Sequence, residues 1–177
     1  MDLLLYTIIF LMLLASEAFF SGSEIALIAA NPQKIRKSSK VSLARIRMTL
    51  DLLKNRERIL ATTLCGTNLS VVINSILITS FLLSQFSERG EVYAVIMLAP
   101  LLLIFGEIMP KTLFQQHAHT IAPWVSYPIW LASYLLYPLV FLITKVTNMI
   151  FSLTGAEQIQ DIPFVSREEL RLIVKMS

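Results

Sequence analysis

Three short polar motifs interrupt apolar stretches of the sequence, and their side chains are the ones best suited to chemistry. The motifs are Ser21-Gly22-Ser23-Glu24, Gly66-Thr67-Asn68 and Gly106-Glu107. A charged group inside a membrane-spanning segment costs about 2.5–3.5 kcal/mol on insertion scales, so its presence there indicates a function. Hydroxyl, amide, carboxylate and freed carbonyl oxygens suit Mg²⁺, Ca²⁺ and Na⁺, whereas zinc and copper favour histidine or cysteine. The motifs therefore predict an oxygen-lined site for a hard cation.

The motifs also lie at similar depths. Depth is counted from the predicted cytoplasmic end of each segment, with a rise of ~1.5 Å per residue. On this scale the first motif lies roughly 9–14 Å deep, Asn68 roughly 14 Å deep and Glu107 roughly 6 Å deep. Pro110 has no N–H to donate to the carbonyl of Gly106, which leaves that oxygen free to face a cavity. A divalent ion at this depth needs a formal negative charge beside it, so Glu107 is the predicted ligand and Glu24 the secondary candidate.

Other polar residues have simpler interpretations. A stripe of small polar residues on the second segment indicates helix packing or a dimer interface, because its members are three or four residues apart: Thr63, Thr67, Ser70 and Asn74. We expect Glu17 to pair with another group or line a cavity, and Cys65 to pack as a small apolar residue. His117 and His119 are expected in a wet turn. With no nucleophile beside a base, no phosphate-binding loop and no paired catalytic acids, the sequence does not predict an enzyme.

The composition identifies the class of protein. Hydrophobic residues make up 55% of the 177 residues and charged residues 15%, with a mean hydropathy of +0.68. A soluble domain of this size cannot bury so much apolar surface. Apolar runs near the ~20 residues needed to cross a bilayer predict an all-α membrane protein. The predicted spans are residues 3–30, 59–83 and 92–113.

Charge is distributed unevenly and predicts the orientation. Residues 31–58 carry nine basic and two acidic residues, a net +7, whereas the rest of the chain sums to −4. Basic loops beside spanning segments stay cytoplasmic, and this one is suited to contact anionic lipid rather than nucleic acid. The start of the chain lacks the basic region of a cleaved signal peptide. We therefore expect a multi-pass protein of the cell membrane, with its N-terminus outside and its C-terminus in the cytoplasm.

A fourth apolar segment, residues 121–151, is interrupted by prolines that kink or break a helix. Its Trp and Tyr residues step by three or four and form one helical stripe, and such rings prefer the membrane interface: Trp124, Tyr127, Trp130, Tyr134 and Tyr137. The favoured prediction is a kinked belt helix at the cytoplasmic surface, because a fourth crossing would export the polar tail. A fourth crossing remains the alternative.

The three motifs, together with the flanking residues Phe19-Phe20 before Ser21 and Ile108-Met109-Pro110-Lys111 after Glu107, closely resemble the transmembrane domain of the CNNM/CorC family of magnesium transporters. The resemblance implies three spanning helices, a juxtamembrane belt helix, a homodimer and Mg²⁺ export coupled to Na⁺ influx. It also implies Mg²⁺ coordination near the polar motifs. With Gly22, whose missing side chain allows close approach of the backbone, the predicted metal site comprises Ser21, Gly22, Ser23, Asn68, Gly106 and Glu107.

The end of the chain, Val165-Ser166-Arg167-Glu168-Glu169-Leu170 included, resembles the segment that leads to this family's cytoplasmic CBS-pair domain. The resemblance implies a membrane domain over residues 1–155 and a cytoplasmic linker over 156–177. It also implies that nucleotide binds only to a CBS pair, which these residues do not include. The alternative function is a membrane-anchored Mg²⁺ sensor or regulatory scaffold that acts on other transporters. Transport direction and stoichiometry are left open by the sequence.

Overall fold

The structure, a computed structural model, describes residues 3–37, 41–86, 92, 94–139, 141–142 and 145. The chain divides into two compact units, residues 1–143 and 144–177, and all the helices described below belong to the first. The predicted cytoplasmic linker over residues 156–177 lies outside the described residues. The division of the chain into a membrane domain and a linker therefore stays a prediction.

Three of the described helices are long and apolar enough to cross a membrane. They are α1 (Leu3–Ala29), α4 (Arg56–Phe86) and α5 (residues 94–116). Each consists of an apolar run longer than, or close to, the ~20 residues that a bilayer crossing requires. This confirms the prediction of an all-α membrane protein with three spanning helices.

Helix α5 is irregular along its length. It begins as a π-helix, Ala94–Leu98, and passes through a short α-helical turn, Ala99–Leu101. A second π-helical segment, Leu102–Ile108, is followed by regular α-helix over Met109–Gln116. Proline lies in the first turn of each α-helical piece, at Pro100 and Pro110, where a missing N–H is best tolerated.

Helices α1 and α4 pack against each other in antiparallel directions. The rings of Tyr6 and Phe81 are 4.9 Å apart near one end. Further along, the Ser70 and Ser16 hydroxyl oxygens are 3.1 Å apart, and Gly66 of α4 lies against the Phe20 ring of α1. At Gly66 and Ser70, α4 therefore faces α1.

Three shorter helices cover one end of the spanning helices. They are α2 (Pro32–Arg36), α3 (Leu43–Leu53) and α6 (Ala118–Leu135), and the Asn31 side chain caps α2 by accepting from the Gln33 N–H at 2.9 Å. Their apolar side chains form one core with the end of α1 and the start of α4: Leu27, Ile35, Ile46, Ile59, Ala122, Val125 and Ile129. We call this end of the molecule the belt end.

Helix α6 is the element predicted as the belt helix. It begins at Ala118, three residues before the predicted start, and contains Pro123 and Pro128 in its interior. It is not among the three helices long and apolar enough to span, within the part of the chain that the structure describes. Its aromatic stripe points outward, since Trp124, Tyr127 and Tyr134 are each more than half exposed.

Candidate metal site in the membrane helices

Helices α1 and α5 bring three carboxylates together inside the membrane domain. Glu17 and Glu24 are seven residues apart on α1, which places them on one helical face, roughly 10 Å apart along the axis. Glu107 of α5 is close enough to act electrostatically on both of them. The three acids therefore form a row between the two helices.

Glu17 is the most deeply buried of the three. Its exposed fraction is 2%, and its Oε2 atom has no hydrogen-bond partner among the described residues. Its carboxylate lies against Gly106 of α5 and occupies the space that a Cβ atom on residue 106 would fill. Glycine at 106 is therefore what allows the carboxylate to reach the backbone of the π-helical segment.

The serines of the first motif are buried beside these acids. Ser21 is 1% exposed and Ser23 is fully buried, and neither hydroxyl oxygen has a hydrogen-bond partner within the described ranges. A serine in a membrane helix normally bonds to a carbonyl one turn back. Ser21 and Ser23 are two residues apart on α1 and point to different sides of the helix, so each hydroxyl separately is an oxygen available to another group.

The backbone of α5 supplies further oxygens at the junction of its π-helical and α-helical segments. The Met109 N–H donates to the carbonyl of Ile104, five residues back. In the α-helix that follows, each backbone N–H donates to the carbonyl four residues back, so the N–H of Thr112 is matched with the carbonyl of Ile108. Between these bonds, the carbonyls of residues 105, 106 and 107 share one backbone donor, that of residue 111, because Pro110 has no N–H. At least two carbonyl oxygens at Gly106 and its neighbours therefore lack a backbone donor.

A lysine side chain forms an ion pair with one carboxylate oxygen of Glu107. The Lys111 ammonium lies 2.5 Å from Glu107 Oε1, one helical turn away. Both side chains are partly exposed, at 34% for Lys111 and 42% for Glu107. Lys111 therefore acts as a tethered cation at the carboxylate that the sequence predicts as the metal ligand.

Three carboxylates and one ammonium leave a formal charge of −2 in this part of the membrane domain when all four are ionised. Buried charges need compensation, and a charge of −2 matches one divalent cation. In the part of the chain that the structure describes, no three Asp, Glu, His or Cys side chains converge as a ready metal cluster. The acids lie in a row, so they suit an ion that moves along them.

Two predicted ligands lie apart from this row. Gly22 packs against the Phe114 ring, whose nearest atom would be 2.8 Å from a side-chain carbon at this position. Asn68 is exposed on the opposite face of α4, where it lines a separate pocket of about 430 Å³ with Cys65 and Leu69 among others. Within one chain, the Glu17 carboxylate contacts Gly106, and Glu107 acts electrostatically on Glu17 and Glu24. Ser21 and Ser23 are buried on α1, and their grouping with Gly106 and Glu107 in one metal site stays a prediction.

The polar stripe on α4 is used for packing. Ser70 donates to the Gly66 carbonyl at 2.9 Å, and Thr63 to the Ile59 carbonyl at 2.9 Å. The Thr63 hydroxyl also lies within reach of the Glu24 carboxylate. Asn74 is fully buried and its amide has no partner in the described part of the chain. The packing interpretation of the stripe is confirmed for Thr63 and Ser70.

The histidines lie at the belt end. His119 Nδ1 accepts from the backbone N–H of Asn31 at 3.3 Å, and its other ring nitrogen is 3.3 Å from the Lys34 ammonium. His117 contacts the carbonyl of Leu113 at 3.3 Å. These contacts fix the loop between α1 and α2 against the start of α6 and do not involve the carboxylates.

From the sequence, Glu17 is expected to pair with another group or line a cavity and stays outside the site, and Lys111 enters only as part of a motif and not as an ion partner of Glu107. The signal for Glu17 was its seven-residue spacing from Glu24, which puts both on the face of α1 that carries Ser21. The signal for Lys111 was its four-residue spacing from Glu107, the ordinary spacing of a helical ion pair.

Comparisons with known proteins identify the family of the chain. The CNNM family, described as the Cyclin M transmembrane N-terminal domain, matches residues 8–177. The UPF0053 inner membrane protein YfjD of Escherichia coli is 29% identical over 162 residues, which cover 91% of this chain and 38% of that protein. A UPF0053 protein of Haemophilus influenzae is 29% identical over 167 residues, or 94% of this chain and 40% of its own length.

A chloroplastic DUF21 domain-containing protein of Arabidopsis thaliana is similar as well, with 28% identity over 170 residues, covering 95% of this chain and 25% of that protein. The chain thus spans between a quarter and two fifths of the length of these relatives. The family match covers nearly the whole chain, including the three spanning helices and every residue of the carboxylate row. This multi-pass membrane protein therefore belongs to the CNNM transmembrane-domain family.

Proposed function

We propose that the protein transports Mg²⁺ across the membrane through a site formed by Ser21, Ser23, Gly106 and Glu107. The observation that carries the proposal is the combination of unpartnered oxygens and uncompensated charge between α1 and α5. The two serine hydroxyls have no partner among the described residues, and the adjacent carboxylates outnumber the one ammonium by two. A divalent cation with oxygen ligands satisfies both conditions at once.

The chemistry of the ligands favours Mg²⁺ over softer metals. Hydroxyl, carbonyl and carboxylate oxygens bind hard cations, and Mg²⁺ is usually held by one or two carboxylates while it keeps several waters. Glu107 is partly exposed, which leaves room for a hydrated ion to approach it. Lys111, which now lies on Glu107, would have to swing away as the ion binds.

Direction and coupling are proposed from the family resemblance and the charge distribution. We propose export of Mg²⁺ coupled to Na⁺ influx in the cell membrane, with the N-terminus outside. The basic residues of α2, α3 and the start of α4 lie at the belt end, and basic flanks favour the cytoplasmic side. The belt end would then face the cytoplasm, and the C-terminus would follow on that side.

We propose a homodimer whose interface is the outer face of α4. Large apolar residues on this face are exposed, among them Leu64, Val72 and Ile76, and Asn68 lies in their midst. A buried polar side chain in a helix interface contributes to association in membranes. Cysteine cross-linking at Val72 between two chains would support this interface, and a monomer in mass measurements across detergents would contradict it.

Flux measurement with the purified protein tests the proposed function most directly. Proteoliposomes that contain only this chain and a trapped Mg²⁺ indicator should show Mg²⁺ movement that a matched Glu107→Gln protein lacks. An imposed Na⁺ gradient should accelerate that movement. Normal Mg²⁺ binding with no flux under any gradient would favour the alternative, a Mg²⁺ sensor or scaffold that acts on other transporters.

A further inference from the structure

We propose that Glu17 and Glu107 form a second cation position deeper in the membrane, in a cavity between α1, α4 and α5, to which a hydrated divalent cation passes from the serine site. This extends the proposed function and rests on it for the identity of the ion. The cavity has a volume of about 350 Å³. Its polar lining consists of the two carboxylates and the hydroxyls of Ser75 and Thr79 on α4.

The burial of Glu17 indicates that this cavity holds a ligand. The side chain is 98% buried, and Oε2 has no hydrogen-bond partner in the described residues, although the carboxylate lines the cavity. The charged group that acts on it most strongly is Glu107, which carries the same sign. Two like charges facing one cavity in a membrane are compensated either by a proton on one of them or by a cation between them, and the proposed position supplies the cation.

The size and lining of the cavity select a hydrated ion. At about 30 Å³ per water, the volume holds on the order of ten water molecules, enough for a hard cation with much of its first hydration shell. The remaining walls are aliphatic side chains of α4 and α5, such as Val71, Leu98 and Leu102, which offer no competing ligand. Mg²⁺ suits such a place because it gives up water reluctantly and binds through one or two carboxylates.

The position of Glu17 makes it a second step rather than a part of the first site. It lies four residues above Ser21 and twelve residues from the end of α1 at Ala29, roughly 6 Å and 18 Å along the helix. Glu107 acts on both Glu17 and Glu24, so it is common to the two positions. An ion that moves from the serines to the cavity therefore stays beside the Glu107 carboxylate throughout.

The missing side chain of Gly106 makes room for the Glu17 carboxylate at the second position. The carboxylate occupies the space of that missing side chain, next to the carbonyls that lack a backbone donor. Glycine at 106 therefore sets how closely the Glu17 carboxylate approaches the backbone of the π-helical segment beside the cavity. Ser75 and Thr79, one turn apart on α4, continue the polar lining away from the belt end.

Thiol accessibility tests the cavity without requiring transport. In a Cys65→Ala background, Ser75→Cys in proteoliposomes is treated with a cationic, membrane-impermeant methanethiosulfonate reagent. Ile96→Cys, at an exposed position of α5 outside the cavity lining, is the matched control. We expect Ser75→Cys to react about tenfold faster than the control, because charged reagents need a hydrated path, and millimolar Mg²⁺ to slow it several-fold. Equal rates, or no protection by Mg²⁺, would overturn the proposal.

Glu17→Gln then separates the second position from the first. Mg²⁺ binding in detergent should stay within about threefold of wild type, whereas flux should fall by about tenfold and Mg²⁺ protection of Ser75→Cys should disappear. Glu17→Asp, which keeps the charge, should restore part of the flux, and elution as a single folded species checks both variants. Normal flux in Glu17→Gln, or a loss of binding as complete as in Glu107→Gln, would contradict a second position. If wild type carries no flux, the protection experiment still decides whether the cavity binds the ion.

Discussion

The charged side chains in the membrane interior and those at the belt end differ in sign and in the groups that lie beside them. At the belt end, the Arg45 guanidinium lies 4.1 Å from the Trp124 ring and that of Arg58 lies 4.8 Å from the Tyr134 ring. In the interior, by contrast, three carboxylates share one ammonium. The two arginines at the surface therefore contact aromatic rings, whereas Oε2 of Glu17, between α1 and α5, has no hydrogen-bond partner among the described residues.

This difference separates structural charges from functional ones. An exposed pair such as Lys54 and Asp51, 2.8 Å apart, contributes little to stability because water screens it. A carboxylate inside the membrane domain costs far more to keep charged, above all the buried Glu17, so a cation that binds there would offset that cost. The same reasoning separates Ser70, whose hydroxyl is bonded, from Ser21 and Ser23, whose hydroxyls are not.

The largest effect is expected from Glu107→Gln. The change keeps the shape of the side chain but removes the charge that both proposed cation positions share. We expect Mg²⁺ affinity in a titration of the detergent-solubilised protein to fall at least about 100-fold, or ~2.8 kcal/mol.

The control for that change is Glu57→Gln, an exposed acid in the first turn of α4 at the belt end. It removes the same charge from the other region and should leave Mg²⁺ affinity within about twofold, since solvent and salt screen its field. Equal losses in the two variants would mean that affinity follows net charge and not the carboxylate row.

Ser21→Ala and Ser23→Ala come next. Each removes one neutral oxygen ligand and no charge, so each should weaken Mg²⁺ binding about tenfold, a loss of ~1.4 kcal/mol. Ser126→Ala is the matched control, because this buried serine of α6 donates to the Ala122 carbonyl at 2.6 Å and its oxygen lies 3.0 Å from the Thr49 hydroxyl. Ser126→Ala should lower thermal stability and leave binding unchanged. A reversed pattern would assign the unpartnered hydroxyls to packing.

Lys111→Met should have a smaller effect of the opposite sign. The Lys111 ammonium competes with the ion for Glu107, and because both side chains are partly exposed the competition is weak. We expect Mg²⁺ affinity to rise about fivefold, with a shallower dependence on salt. Lys54→Met, which breaks the exposed pair with Asp51, should change nothing. Weaker binding in Lys111→Met would show that the lysine orients Glu107 and does not compete with the ion.

Much of the fold was predictable from the sequence, because the apolar runs and the aromatic stripe fix the helices and the outward face of α6 by periodicity alone. The contents of the site were less predictable. The π-helical register of α5 depends on how its helix packs, and it decides which carbonyls lose their donors at Pro110. The contact of Glu17 with Gly106 depends on the crossing of two helices. Depth alone could not show that Asn68, level with the serines, faces away from them within one chain.

The smallest effect is expected at the belt end, where Arg45 and Arg58 are proposed to favour anionic lipid. A basic residue near a membrane surface contributes about 1 kcal/mol to attraction for anionic lipid, so Arg45→Gln should lower that preference about fivefold or less. Trp124 and Trp130, the two tryptophans of the sequence, both lie on α6, so quenching of their fluorescence by brominated anionic lipid in mixed nanodiscs measures this preference. Arg45→Lys keeps the charge but stacks less well on Trp124, so its preference should stay near that of wild type. A loss in Arg45→Lys as large as in Arg45→Gln would mean that the ring contact, and not the charge, determines how the belt end binds the lipid.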